Sequence, residues 1–179
     1  MFEEIYNIFK MEMDGEEFDS DDDALLAANI EMKEVLGERN WKFLLKTTTL
    51  PAGTLSYASI ADLDKVIKVW DDGTELERAT FERRFDTEKD YWIDVPNKTL
   101  AAINTGILSR PLTLDYKAKV DEITAENDIL PDVEFLRPLI AYRMCLHFYR
   151  KDQDTTVFEL IRDKEGSAHN SLISYNENL

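Results

Sequence analysis

Apolar positions first repeat at helical spacing: Phe2, Ile5, Tyr6 and Phe9 predict a short helix over residues 1–12. Leu25, Ala28, Met32, Val35 and Leu36 define a second helical face over 22–36, with Ser20 to Asp22 capping its start and Gly37 expected to cap its end. The period then shortens to that of strands. Lys46 to Leu50 is rich in β-branched residues, Pro51-Ala52-Gly53 reads as a turn, and Thr54 to Tyr57 resumes extended character. Val66 to Trp70, Asp71-Asp72-Gly73 and Thr74 to Leu76 have the chemistry of a tight hairpin. Phe81 and Phe85, four apart in a charged stretch, predict a short helix over 80–89. Further strands are expected at Tyr91 to Val95, Leu100 to Ile103 and Leu112 to Val120, the last alternating Leu112, Leu114, Tyr116, Ala118 and Val120 with polar partners.

Pro131 is expected to open a long helix over 131–151, broken or restarted at Pro138. From Pro138 onward Leu139, Ile140, Met144, Cys145, Leu146, Phe148 and Tyr149 surround most of the cylinder. A helix apolar on nearly all sides lies at the centre of a bundle or against another chain, so Leu139, Ile140, Phe148 and Tyr149 are candidates for core or subunit interface. A last helix over 154–175 carries Val157, Leu160, Ile161, Lys164, Ala168, Leu172 and Ile173 on one stripe. Helices at both ends and strands between them predict an α+β fold: a single domain over 1–179, with a helical bundle (about 1–36 and 131–175) and a β-rich insertion at about 45–120.

A chain of 179 residues is one ordinary domain's length, and its 44% apolar content is enough for a core. The net charge of -16 repels a phosphate backbone, which excludes a basic-groove nucleic-acid binder held by counterion release. That charge is uneven: residues 1–40 hold thirteen acids against three bases. Its focus, residues 14–23, reads as a solvated loop. Asp19, Asp21 and Asp23 alternate like the start of a calcium loop, but Ala24 stands where the turn needs glycine and Ile30 where a bidentate glutamate belongs. One cysteine, Cys145, allows no internal disulfide and suits a reducing compartment. Residues 1–23 show no basic segment leading into an apolar run, and no stretch of eighteen apolar residues occurs, so a soluble chain made inside the cell is expected. The Asn97-Lys98-Thr99 sequon then has no consequence.

Catalytic chemistry is thinly represented. Gly15, Gly37, Gly53, Gly73, Gly106 and Gly166 are scattered and form no phosphate-cradling loop or dinucleotide fingerprint. Cys145 and His147, two apart on a helix, point to different faces and read as a buried structural cysteine and a surface histidine rather than a nucleophile with its base. No catalytic residue, metal ligand or cofactor site is assigned, and an enzyme is not expected.

The order of elements carries more information. A helix pair runs into Arg39-Asn40-Trp41-Lys42-Phe43-Leu44, the β-rich middle opens with Thr47 to Tyr57, Ala61-Asp62-Leu63-Asp64-Lys65-Val66 leads into the next strand, and Leu130-Pro131 precedes the helix with Leu139-Ile140-Ala141-Tyr142. This arrangement, over about residues 25–175, resembles the head-to-tail adaptor proteins of tailed bacteriophages, including the tail tubular A type. Arg39 to Phe43 looks like that family's aromatic junction between helix and sheet, and Thr54 to Tyr57 like its strand. Ser59-Ile60-Ala61 replaces the family's usual leucine-proline after the tyrosine.

The resemblance implies a non-enzymatic virion protein of the neck and tail. It would form a homo-oligomeric ring of twelve copies below the portal protein and continue the DNA channel without specific binding. It would also dock a tail hub or nozzle protein, with no membrane involved. It further implies portal contact through the C-terminal segment, where Leu172, Ile173, Tyr175 and Leu179 are the docking candidates. An acidic channel wall would let a polyanion slide without sticking. The alternative is a small acidic regulator that mimics nucleic acid toward a basic partner protein; it would need acids spaced along an ordered face, whereas here they crowd into one loop.

Overall fold

The computed structural model describes residues 2–104, 106, 109–124, 130–149 and 155–179. The chain divides into two compact units, Met1–Phe43 with Val120–Leu179, and Leu44–Lys119. The first is helical and the second is built from strands.

Helices α1 (Phe2–Glu12), α2 (Asp21–Gly37), α3 (Leu136–Tyr149) and α4 (Thr155–Asn178) make up the helical unit. α3 touches all three others, so its apolar circumference is the centre of this bundle. Leu139 and Ile140 are fully buried and belong to the core, alongside Leu136, Ala141, Met144 and Cys145. α1 ends in a left-handed turn: the Gly15 N–H donates to the Lys10 carbonyl while Asp14 takes φ 54°. Ser20 caps α2, its hydroxyl oxygen accepting the Asp23 N–H, and Asp21 to Asp23 fill the first turn where the helix dipole favours anions.

The helical unit is drawn from two separate stretches of chain, and polar contacts bind them. The buried Asn29 carboxamide accepts the Ile123 N–H (2.7 Å) and donates to the carbonyls of Ile123 and Leu25 (both 3.0 Å). Trp41 is fully buried, donates its indole N–H to the Val35 carbonyl (2.8 Å) and stacks on Phe43. The Lys42 N–H donates to the buried Asn176 carboxamide on α4, tying the exit from α2 to the C-terminal helix.

In the other unit, β1 (Leu45–Leu50), β6 (Leu112–Ala118), β2 (Leu63–Asp71) and β3 (Thr74–Glu75) form an antiparallel sheet in that spatial order. β4 (Tyr91–Asp94) and β5 (Thr99–Ala102) form a separate two-stranded ladder. β6 is the central strand, and Leu112, Leu114, Tyr116 and Ala118 are buried, matching the alternation in the sequence. Leu50, Val66, Val69, Tyr91 and Leu100 join Leu112 and Leu114 in one core; burial pushes the Tyr91 phenol up to about 12. On the sheet, the Asp115 carboxylate accepts hydrogen bonds from Thr47 Oγ1 (2.7 Å) and Trp70 Nε1 (2.6 Å), linking β6 to both neighbours. Asp72 and Gly73, with φ 48° and 82°, make the expected tight turn between β2 and β3.

Several expectations are corrected. Gly37 is the last residue of α2 and takes no left-handed conformation; Glu38 caps the helix with right-handed backbone, its N–H reaching the Glu34 and Val35 carbonyls. Thr54 to Tyr57 forms no strand, because only Ser56 bridges to Thr99 and the neighbouring backbone makes single bonds to Lys98 and Leu100. Residues 80–89 are not a helix but successive turns closed three residues apart, as from Arg83 N to Thr80 O. Phe81 and Phe85 are exposed, so the pair buries no face that would hold a short helix together.

α3 begins at Leu136 rather than Pro131, with the Leu139 N–H donating to the Phe135 carbonyl; Pro138 sits in the first turn, where its missing N–H costs no helical bond. The predicted ends of the last two helices at 151 and 154 lie outside the described residues. β6 stops at Ala118, short of Val120. On α4, Ile161, Ala168 and Leu172 are buried as the stripe predicts, whereas Leu160 faces out.

Two stability changes follow. Asn29→Ala strips the buried Ile123 backbone of its partners and is expected to lower stability by about 1–3 kcal/mol, with Asn29→Asp losing at least as much, because its acceptor-only carboxylate would face the Ile123 and Leu25 carbonyls; urea unfolding followed by circular dichroism measures both. Gly166 lies inside α4 with nothing within 4 Å of an added Cβ. Gly166→Ala is therefore expected to raise the helical unit's stability by roughly 0.5–1 kcal/mol, and an unchanged midpoint would contradict it.

Candidate functional site

Three surface features of the two units present side chains that a partner could recognise. The first is a groove of about 480 Å³ on the helical unit. Phe18, Leu26, Ile30 and Phe148 give it an apolar lining, and Glu17, Asp19 and Asp23 line it with acid. Leu26 is 60% exposed and Ile30 41%, on the side of α2 that the bundle leaves uncovered. Phe148 is half-buried and meets Phe9 and Phe18 edge-on at 5.7 and 5.4 Å, while Phe9 and Phe18 lie 4.8 Å apart. The acidic stretch at 14–23 is thus not wholly solvated: Phe18 fastens it to the bundle. Flanked by Glu17 and Asp19, that one aromatic carries no apolar periodicity in the sequence to mark it.

The second feature is the C-terminal end of α4. Leu172 is fully buried and completes the bundle core, so it is not open to a partner. Ile173 and Tyr175 are half-exposed, and Leu179 is 59% exposed. Beside Tyr175 a shallow groove of about 500 Å³ is lined by Phe135 and by small polar side chains, Ser167, Asn170, Ser171 and Ser174. Such a surface offers hydrogen-bonding groups around two aromatics, Phe135 and Tyr175.

The third is the turn over residues 80–89 in the strand unit. Phe81 is 63% exposed and Phe85 80%. The Arg84 guanidinium lies over both rings, 4.2 and 4.8 Å from their centroids, and donates to the Phe81 carbonyl. Phe81 also meets Trp92 edge-on at 6.0 Å, which holds the turn against β4.

Inside the helical unit the polar groups are structural. Arg143 pairs with Glu38 (2.6 Å) and Glu165 (2.9 Å), and burial opposes its charge while those two carboxylates favour it, with the guanidinium's affinity for its proton raised overall. His169 Nε2 lies 2.9 Å from Glu38 but outside hydrogen-bonding geometry. Cys145 faces α1, 4.0 Å from the Phe9 carbonyl, and burial pushes its thiol up to about 12. His147 sits instead beside Glu31 of α2 at 3.5 Å. The two side chains do not converge, and so protonated a thiol is a poor nucleophile. Tyr149 is half-buried at the end of α3.

Among the described residues no three His, Cys, Asp or Glu side chains are placed to hold a metal ion, and no helix is long and apolar enough to cross a membrane. No curated protein matches the chain. A family model does: that of the SU10 adaptor protein matches residues 10–170, a span that takes in most of the helical unit and the whole strand unit. With helices at both ends, strands between them and a match over most of its length, the chain belongs to the SU10 adaptor protein family, a family of phage head-to-tail adaptors.

Proposed function

We propose that this adaptor assembles as a homo-oligomeric ring of twelve copies below the portal protein, continues the DNA channel, and offers its far side to a tail hub or nozzle protein. The family match across both units is the observation that carries this reading. The net charge of -16 supports a channel wall along which DNA slides, since a phosphate meets few cations to release its counterions. The role is structural rather than enzymatic and its place is the virion.

Portal contact is assigned to the end of α4. Tyr175 and Leu179, with part of Ile173, remain exposed there, and tyrosine is a residue type that anchors interfaces. Cutting the chain before Ser167 would be a poor test, because Ala168, Leu172 and Asn176 are buried in the bundle. Tyr175→Ala combined with Leu179→Ser avoids that damage. This variant is expected to bind an assembled portal ring about tenfold or more weakly, a change of about 1.4 kcal/mol or more, with its helical circular dichroism unchanged. Binding at full strength would remove α4 from the portal interface. Mass measurement of the wild-type chain with and without the portal ring tests the ring itself, and a chain that stays single on the portal would refute it.

A further inference from the structure

Two of the surface features described above are chemically complementary, and they lie on different units of the same chain. On the helical unit, Phe18, Leu26, Ile30 and Phe148 form an apolar groove set among acids. On the strand unit, Phe81 and Phe85 stand out in solvent with Arg84 stacked on both rings, and Arg83 next to it in the chain lies 4.0 Å from Asp86 of the same turn. We propose that the Phe81–Phe85 turn of one copy seats in the groove between Phe18, Leu26, Ile30 and Phe148 of the next copy, with Arg83 and Arg84 meeting Asp19 and Asp23.

Charge argues for this pairing. Two copies carrying -16 each repel one another, so a contact between them forms where a cation of one is brought to an excess of anions on the other. Residues 14–23 supply that excess, with seven acids and no base. Glu17 is matched by Lys10 at 2.6 Å, and Asp23 accepts the Ser20 hydroxyl, yet neither contact covers the groove's apolar wall. On the turn, Arg84 is already oriented by two rings and a carbonyl, so docking costs little side-chain order.

Apolar surface argues the same way. Phe81 and Phe85 both present most of their ring surface to solvent, and Leu26 and Ile30 are exposed in the groove. An aromatic pair with arginine is the composition of an interface hot spot, and a concave apolar groove is what it fills. Because turn and groove are different patches, the contact is head-to-tail, the kind that builds a ring when its rotation closes. The inference rests on the homo-oligomeric ring proposed above and names the surfaces that build it.

Cysteine cross-linking tests it on the full-length chain. The native Cys145 is buried and held as a thiol, so it contributes little background. Glu82→Cys marks the exposed turn and Ile30→Cys marks the groove. With a short bismaleimide under assembling conditions, mixing the two variants is expected to give a linked pair that neither variant gives alone, and a chain carrying both is expected to give a covalent ladder. Arg84→Glu is expected to weaken assembly roughly tenfold or more, and Asp19→Lys in the same chain to recover part of that loss. If wild-type copies assemble on the portal but the mixed variants stay unlinked, the contact is wrong and the ring stands. If wild-type copies do not assemble, the ring reading falls and the contact with it. Linkage of the Ile30→Cys chain to another virion protein instead would give the groove to that partner and overturn the proposal.

Discussion

The Asn29 carboxamide is the joint on which the helical unit depends. Its two helices on the N-terminal side and two on the C-terminal side are separated in the chain by the whole of Leu44–Lys119, so nothing local brings them together. Where the chain re-enters, Asn29 offers the Ile123 backbone both an acceptor and a donor, in the manner of a strand neighbour. Buried peptide groups without such partners would cost about 1–3 kcal/mol each. The same side chain also donates to Leu25 in its own helix, which fixes its rotamer and aims it at the incoming segment. Trp41 does the equivalent work on the way out, filling core space while its indole N–H satisfies the Val35 carbonyl.

Around those joints, apolar and charged groups share the same short segments. Asp21 to Asp23 favour the start of α2 electrostatically, Ser20 fixes its geometry, and Phe18 clamps the preceding loop onto Phe9 and Phe148. The result is a strongly acidic edge held in an ordered position rather than a loose charged loop. Order matters for recognition: fixed carboxylates beside an apolar wall can select a basic aromatic element, whereas mobile ones would attract any cation and would lose more entropy on binding. The turn at 80–89 is ordered by comparable means, through Arg84 against Phe81 and Phe85 and through Trp92 beneath Phe81.

Periodicity by itself determined the helices around residues 2–12 and 21–37, the C-terminal helical pair, the Asp72-Gly73 hairpin and the alternation of β6, because these elements bury one face and the burial is written every third, fourth or second residue. The order of elements was enough to point to the adaptor family. Tertiary structure decided the rest. It showed that the apolar core of α3 is covered by three helices of its own unit, and that Leu172 closes that core while Tyr175 and Leu179 stay outside. It denied a helix to Phe81 and Phe85, since an i, i+4 aromatic pair makes a helix only when something covers it. It also found work for Asn29 and Phe18, which no pattern marks: the partners of a lone amide or a lone aromatic are distant in sequence, and only the folded chain brings them within reach.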